Sequence, residues 1–143
     1  MTRYVLDASV AAKWILTSPD EKLIEEAAHV FRTFKSRECE LLVPDLFWIE
    51  LGNIFWKSVR QVRISQAASE EAIRTLMASG IPTIASSPLV EKAFRIASGY
   101  QRSVYDAVYV ALAADCKCDL LTADERLYNA LGSRFPIRWL GAL

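Results

Sequence analysis

Tyr4-Val5-Leu6-Asp7-Ala8-Ser9 decides how this chain is read, because an apolar run stops at a carboxylate and small residues follow. Consecutive apolar residues suit a strand buried on both faces, as parallel strands are, rather than one alternating between core and water. Similar short strand-like runs recur at Glu40-Leu41-Leu42-Val43, Pro82-Thr83-Ile84-Ala85, Asp119-Leu120-Leu121-Thr122 and Phe135-Pro136-Ile137-Arg138-Trp139-Leu140. Helical patterns lie between them, at about 8–16, 20–37, 45–63, 66–79, 87–99, 104–115 and 124–131. Strands alternating with helices predict parallel βαβ units. The expected fold is α/β: a three-layer α/β/α sandwich around a five-stranded, mainly parallel sheet, in a single domain over 1–143. In such sheets the site lies outside the carboxyl ends of the strands, where Asp7 and the Thr122–Asp124 turn fall.

Local punctuation supports these boundaries. Asp45 follows Pro44 as an expected N-cap, Ser65 and Ser103 open helices, and Pro88 occupies a tolerated first-turn position. Gly80 and Gly99 are read as helix ends.

Composition narrows the function classes. With 52% hydrophobic and 24% charged residues the chain is ordinary for a globular protein, and no apolar run approaches the ~20 residues of a membrane span. The N-terminus lacks the pattern of a signal peptide, so a cytoplasmic location is expected. Seventeen basic and seventeen acidic side chains balance, which excludes a strongly basic coat for nucleic acid and leaves only local contacts. Cys39, Cys116 and Cys118 lack CxxC spacing, and His29 is the one histidine, so reduced thiols are expected and neither a zinc site nor a histidine triad is.

Four acids stand out. Asp7 ends the first strand, and either it or Ser9 could cap the helix that follows. Glu50 lies mid-helix with Asn53 and Lys57 on one polar stripe, opposite Phe47, Leu51, Ile54 and Phe55. Asp106 is the only charged residue from Val104 to Ala114, although Ser103-x-x-Asp106 also fits a capping box. Asp124 follows a strand exit where Thr122-x-x-Glu125 reads as the capping box, leaving Asp124 without an obvious structural task. Asp20, Asp45, Asp115 and Asp119 are read as caps, turns or surface groups. Four convergent carboxylates suit a hard divalent cation such as Mg²⁺ or Mn²⁺, which prefers oxygen ligands.

At these same positions the chain resembles the PIN-domain ribonucleases of the VapC-like toxin type. The likeness is carried by Val5-Leu6-Asp7-Ala8-Ser9, Pro44-Asp45-Leu46 leading to Glu50-Leu51-Gly52-Asn53, Ser103-Val104-Tyr105-Asp106-Ala107 with Tyr109-Val110-Ala111-Leu112-Ala113, and Leu121-Thr122-Ala123-Asp124 with Leu127. It covers essentially the whole chain. The resemblance implies metal-dependent endonucleolytic cleavage of RNA, neutralisation by a cognate antitoxin, and a homodimer. It further implies that Asp7, Asp106 and Asp124 hold one or two Mg²⁺ or Mn²⁺ ions, directly or through water, while Glu50 completes the acidic pocket. Ser9, Asn53 and Thr122 then become candidates to orient ligands or water, and Lys57, Arg60, Arg63 and Arg102 candidates to grip phosphate. Trp14, Trp48 and Trp56 are read as core, with an apolar helix face for a partner as the sharper alternative.

Rival readings differ at identifiable residues. A phosphatase of the Asp-x-Asp kind needs an acid where Ser9 stands, and a phospho-accepting receiver needs an Asp where Ile84-Ala85-Ser86 stands. A PIN-like nuclease acting on DNA, or an inactive binding module, remains an alternative at the sequence level.

Overall fold

Val5 and Leu6 are fully buried, as are Leu120 and Leu121, because each lies in a strand covered on both faces. The computed structural model describes residues 1–143. Its strands are β1 (Thr2–Leu6), β2 (Cys39–Pro44), β3 (Thr83–Ile84), β4 (Asp119–Thr122) and β5 (Ile137–Trp139). Its helices are α1 (Ala8–Ala12), α2 (Ile24–Lys35), α3 (Leu46–Arg60), α4 (Gln66–Met77), α5 (Val90–Tyr100), α6 (Val104–Cys116) and α7 (Glu125–Leu131), with 3₁₀ turns at Ser87–Leu89 and Leu140–Ala142. The sheet order is β3-β2-β1-β4-β5 and every pairing is parallel, so "mainly parallel" becomes all-parallel. Val5 pairs with Leu42 on one side and Leu120 on the other, making β1 the central strand.

That order sets the site. The chain builds outward from β1 to β2 and β3, then returns to place β4 on the other side of β1. A topological switch point therefore lies between β1 and β4, where open α/β sheets leave a crevice for ligands. The return passes through α6, whose residues Ala107 to Ala113 are all buried against β1, β2 and β4. A helix apolar all round belongs inside a core, and only its two ends reach the surface, the first turn carrying Tyr105 and Asp106 and the last carrying Asp115.

Several expected boundaries move. The first helix ends at Ala12 rather than about 16, and the second begins at Ile24 rather than about 20. The intervening loop is held instead by ion pairs: Arg63 to Asp20 (2.5 Å) and Glu21 (3.3 Å), and Lys13 to Glu21 (3.2 Å). Asp45 occupies the N-cap position of α3 but makes no capping bond, because its carboxylate accepts from the backbone and hydroxyl of Ser86 next to β3. Gly99 lies within α5, which continues to Tyr100 and ends on Gln101 in the left-handed region (φ 55°). Ser65 caps α4 as expected, accepting from the Ala68 N–H at 3.1 Å. Trp14 and Trp48 are partly buried and hydrogen-bonded, to Ala27 O (2.8 Å) and Thr83 Oγ1 (3.0 Å), whereas Trp56 is 55% exposed. No helix is long and apolar enough to cross a membrane.

Candidate active site

Asp7 leaves the central strand at its carboxyl end. Its N–H donates to Leu121 O at 3.0 Å, so the β1–β4 ladder continues one residue past the strand and fixes where the side chain starts. It stands at the N-cap of α1, yet its carboxylate makes no capping bond. Oδ2 accepts instead from the hydroxyls of Ser9 (2.9 Å) and Thr122 (2.7 Å). Thr122 Oγ1 in turn accepts from the Asp124 N–H at 3.0 Å, and Ser9 Oγ from the Ala123 N–H at 3.1 Å. Two hydroxyls thus join the end of β1 to the β4–α7 turn.

The capping box expected at Thr122-x-x-Glu125 does not form. Asp124 is the N-cap of α7, its Oδ1 accepting from the Leu127 N–H at 3.1 Å. Thr122 still belongs to the strand, fully buried, and its hydroxyl donates to a carboxylate, the stronger acceptor available. Asp124 therefore has a structural task after all, and it retains a second oxygen.

Glu50 projects from α3, and its Oε1 is buried without a hydrogen-bond partner. The Tyr109 hydroxyl of α6 is also buried and completes no bond of ordinary geometry, though it lies near enough to Glu50 to favour the ionised carboxylate. Asp106 occupies the first turn of α6. Its N–H donates to Ser103 Oγ at 3.1 Å, which is half of the expected capping box, and its Oδ2 pairs with Arg102 at 3.3 Å.

All four acids line one cleft of about 530 Å³, together with Ser9 and Asn53. Thr122 lies behind it, acting through Asp7. The basic candidates do not converge there. Arg63 is committed to Asp20 and Glu21, and Arg60 lies over the Trp56 ring at 5.0 Å. Lys57 is exposed, and Arg102 reaches the site only through its pair with Asp106. Sequence reasoning missed Ile49, Ile54 and Tyr105, which also line the cleft, and Tyr109 beside Glu50. Tyr105 and Tyr109 flank Asp106 in an otherwise aliphatic helix, the one signal that could have found them. A hollow of about 550 Å³ at the amino ends of β1 and β2 has only Glu40 as an acid, paired with Arg3 at 2.9 Å.

Three of the acids are harder to ionise than an ordinary carboxylate. Burial raises Asp7 most, opposed by hydrogen bonds from Thr122 and Ser9. Burial also leads for Glu50, opposed by Tyr109 and reinforced by the charges of Asp7 and Asp106. For Asp106 burial is again first, Arg102 lowers the value and Asp124 raises it. Desolvation, more than mutual repulsion, is the main cause. A carboxyl whose folded pKa lies above its unfolded value binds more protons when folded, so stability falls as pH rises from the unfolded value through the folded one. We therefore expect the metal-free protein to lose stability as pH climbs from about 4 through the raised folded values. Melting temperature against pH in EDTA should show this fall, and Asp7→Asn should flatten it. Parallel curves for the two proteins would show that Asp7 ionisation is not the cause.

The donor set fits a hydrated hard cation rather than a fully protein-caged one. No three His, Cys, Asp or Glu side chains come close enough together to hold an ion jointly. Mg²⁺ characteristically takes one or two carboxylates and keeps several waters. The orphaned Glu50 Oε1 and the raised Asp7 and Asp106 are the features such an ion would satisfy.

The PIN domain family model matches residues 4–131. The chain belongs to the PIN-domain family. This PIN-domain protein is 30% identical over 136 residues to Ribonuclease VapC3 of Pyrobaculum aerophilum, covering 94% of this chain and 95% of that one. It is also 30% identical over 101 residues to Exonuclease VapC9 of the same organism, covering 71% and 74%. A Pyrobaculum aerophilum crystal structure shares the PIN-domain protein's fold with a TM-score of 0.73 at 24% identity, covering 99% of this chain and 85% of that one. A toxin–antitoxin complex from Klebsiella pneumoniae gives a TM-score of 0.65 at 14% identity, covering 94% and 95%.

Proposed function

We propose that the protein is a metal-dependent endoribonuclease of the VapC toxin type, using Asp7, Glu50, Asp106 and Asp124 with Mg²⁺ or Mn²⁺. The observation that carries this reading is the single cleft at the β1–β4 switch point lined by all four carboxylates. When bound, the cation supplies Lewis acidity, lowering the pKa of a water and offsetting charge on phosphate oxygens. Asp7 presents a carboxylate whose orientation is locked by Ser9 and Thr122. Asp106 is steadied by Arg102, and Asp124 is fixed by the first turn of α7. Glu50 and Asn53, one helical turn apart on α3, form the cleft wall beside them, with the Glu50 carboxylate placed to accept a proton.

VapC-named relatives that cover this much of the chain support a toxin held in check by a cognate antitoxin, and we extend the proposal to a homodimer. The test is cleavage by the purified protein of a mixed RNA pool with Mg²⁺, Mn²⁺ or EDTA, beside a circular RNA and a DNA of matched sequence. Metal-dependent cutting of the circle, which has no end to start from, is the expected result. Trimming of linear RNA alone would favour an exonuclease, as VapC9 is named. Cutting of the DNA alone would redirect the substrate.

A further inference from the structure

The hollow at the amino ends of β1 and β2 matches the acid cleft in size, about 550 Å³ against 530 Å³, but not in chemistry. Phe34, Leu41, Leu42 and Pro82 give it an apolar lining, and Leu41 and Leu42 belong to the buried core. A concavity of this volume, mostly apolar with a few placed polar groups, is the usual form of a small-molecule site. It lies at the far end of the strands from the cleft. The five residues of β1 alone span about 16 Å at ~3.3 Å each. No residue of the proposed nuclease machinery lines it.

Charge at the rim narrows the ligand. Arg3 and Arg37 line the hollow against one acid, Glu40. Glu40 engages only Nε of Arg3, at 2.9 Å, so the terminal nitrogens of that guanidinium are unspent. Arg37 is exposed and joins no ion pair. Its backbone stands in the left-handed region (φ 62°) just past α2, where glycine is the default residue. The helix dipole does not call for the arginine, because Arg32 and Lys35 already place positive charge in the last turn. A guanidinium is thus kept at a strained position that the helix stop alone does not explain. Its planar fork matches a carboxylate in particular. A nucleic-acid backbone would draw on more cations than these and gain nothing from the apolar floor. We propose that the hollow is a second ligand site, which takes a small apolar carboxylate. The hydrocarbon or aromatic body rests on Phe34, Leu41, Leu42 and Pro82, and the carboxylate meets Arg37 and the free side of Arg3.

The experiment is calorimetric titration with decanoate below its micelle concentration, beside decanol and decylamine of the same chain length. Decanoate should bind one to one and about tenfold or more tightly than decanol, as a hydrogen bond to a charged group implies. Decylamine should be weaker still. Amide NMR shifts should move at Phe34, Arg37, Leu41 and Leu42 and stay still at Asp7, Glu50 and Asp106. Arg37→Gly suits the left-handed backbone, so it should melt as wild type does while losing about tenfold or more in decanoate affinity. Arg37→Glu should lose decanoate and gain decylamine. Absence of decanoate binding overturns the proposal, as does equal binding by wild type and Arg37→Gly or equal binding of decanoate and decanol. Shifts centred on the acid cleft overturn it too. A short apolar peptide with a free carboxyl end that binds more tightly than decanoate would make the hollow a protein-docking surface and sink the small-ligand assignment. Cleavage plays no part in these measurements, so their failure leaves the nuclease reading untouched.

Discussion

Asp106→Asn is expected to abolish metal-dependent cleavage while leaving a folded protein that melts no lower than wild type at neutral pH in EDTA. The two halves of that expectation have separate causes. Asparagine is nearly isosteric and keeps the backbone N–H that donates to Ser103, so the start of α6 is preserved. The pair with Arg102 is lost, but both side chains are partly exposed, at 24% and 32%, and such pairs contribute about 0–1 kcal/mol. Against that loss, the substitution removes a carboxylate that burial and Asp124 both make reluctant to ionise. Chemistry is affected differently. A negatively charged oxygen that anchors a cation cannot be replaced by an amide without losing several kcal/mol of charge stabilisation. At about 1.4 kcal/mol per decade the rate should fall by roughly 10²–10³-fold or more. Calorimetry and cleavage kinetics on the same preparation check both halves. Undiminished cleavage would remove Asp106 from the site, and a collapsed melting temperature would make its role structural.

Thr122→Val tests the wiring behind the acids and should show the second-largest effect. Valine matches threonine in shape, so the buried volume is unchanged while the hydroxyl disappears. Asp7 then loses its 2.7 Å donor, and the Asp124 N–H loses its 3.0 Å acceptor. Leaving a buried polar group unsatisfied costs about 1–3 kcal/mol, more when the group is charged. Groups that orient a metal-binding side chain typically matter about 10–100-fold in affinity or activity. We therefore expect a clear drop in the urea midpoint and a fall in cleavage of that order, with the metal concentration for half-activity raised. Thr122→Ser, which keeps the hydroxyl, should recover most of both. Wild-type cleavage and stability in Thr122→Val would mean that Ser9 alone suffices to hold Asp7.

The fold was readable because burial leaves a mark at each strand. Val5-Leu6 and Leu120-Leu121 cannot alternate with water, so they announce a covered, parallel sheet. Strand order was not readable, since nothing in Val5 says that its neighbours are Leu42 and Leu120. The acids were visible as charges in costly places, most clearly Asp106 in its apolar helix. Misreadings came from treating short motifs as self-contained. Asp45 and Thr122 each match a local capping pattern, yet their side chains go to Ser86 and Asp7, 41 and 115 positions away. Arg63 looked free for phosphate, but its partners Asp20 and Glu21 lie in a loop whose approach no local pattern encodes. Tyr105 drew no separate reading, because exposure is a property of the assembled fold and not of the segment.

The bond from Thr122 to Asp7 has a bearing on when the protein can act. It spans 115 positions and closes only once β4 has docked beside β1. A chain still emerging from the ribosome carries Asp7, Glu50 and even Asp106 well before Asp124 is made. Until then the central strand lacks a neighbour and the cleft lacks a wall. Parallel pairing between distant segments is also slow to form, since loop closure comes before the contacts that reward it. For a nuclease made in the same compartment as the RNA that encodes it, this ordering acts as a delay. On the proposed mechanism a chain that stops short of Asp124 lacks one of the four acids, so cleavage waits for the sheet to close.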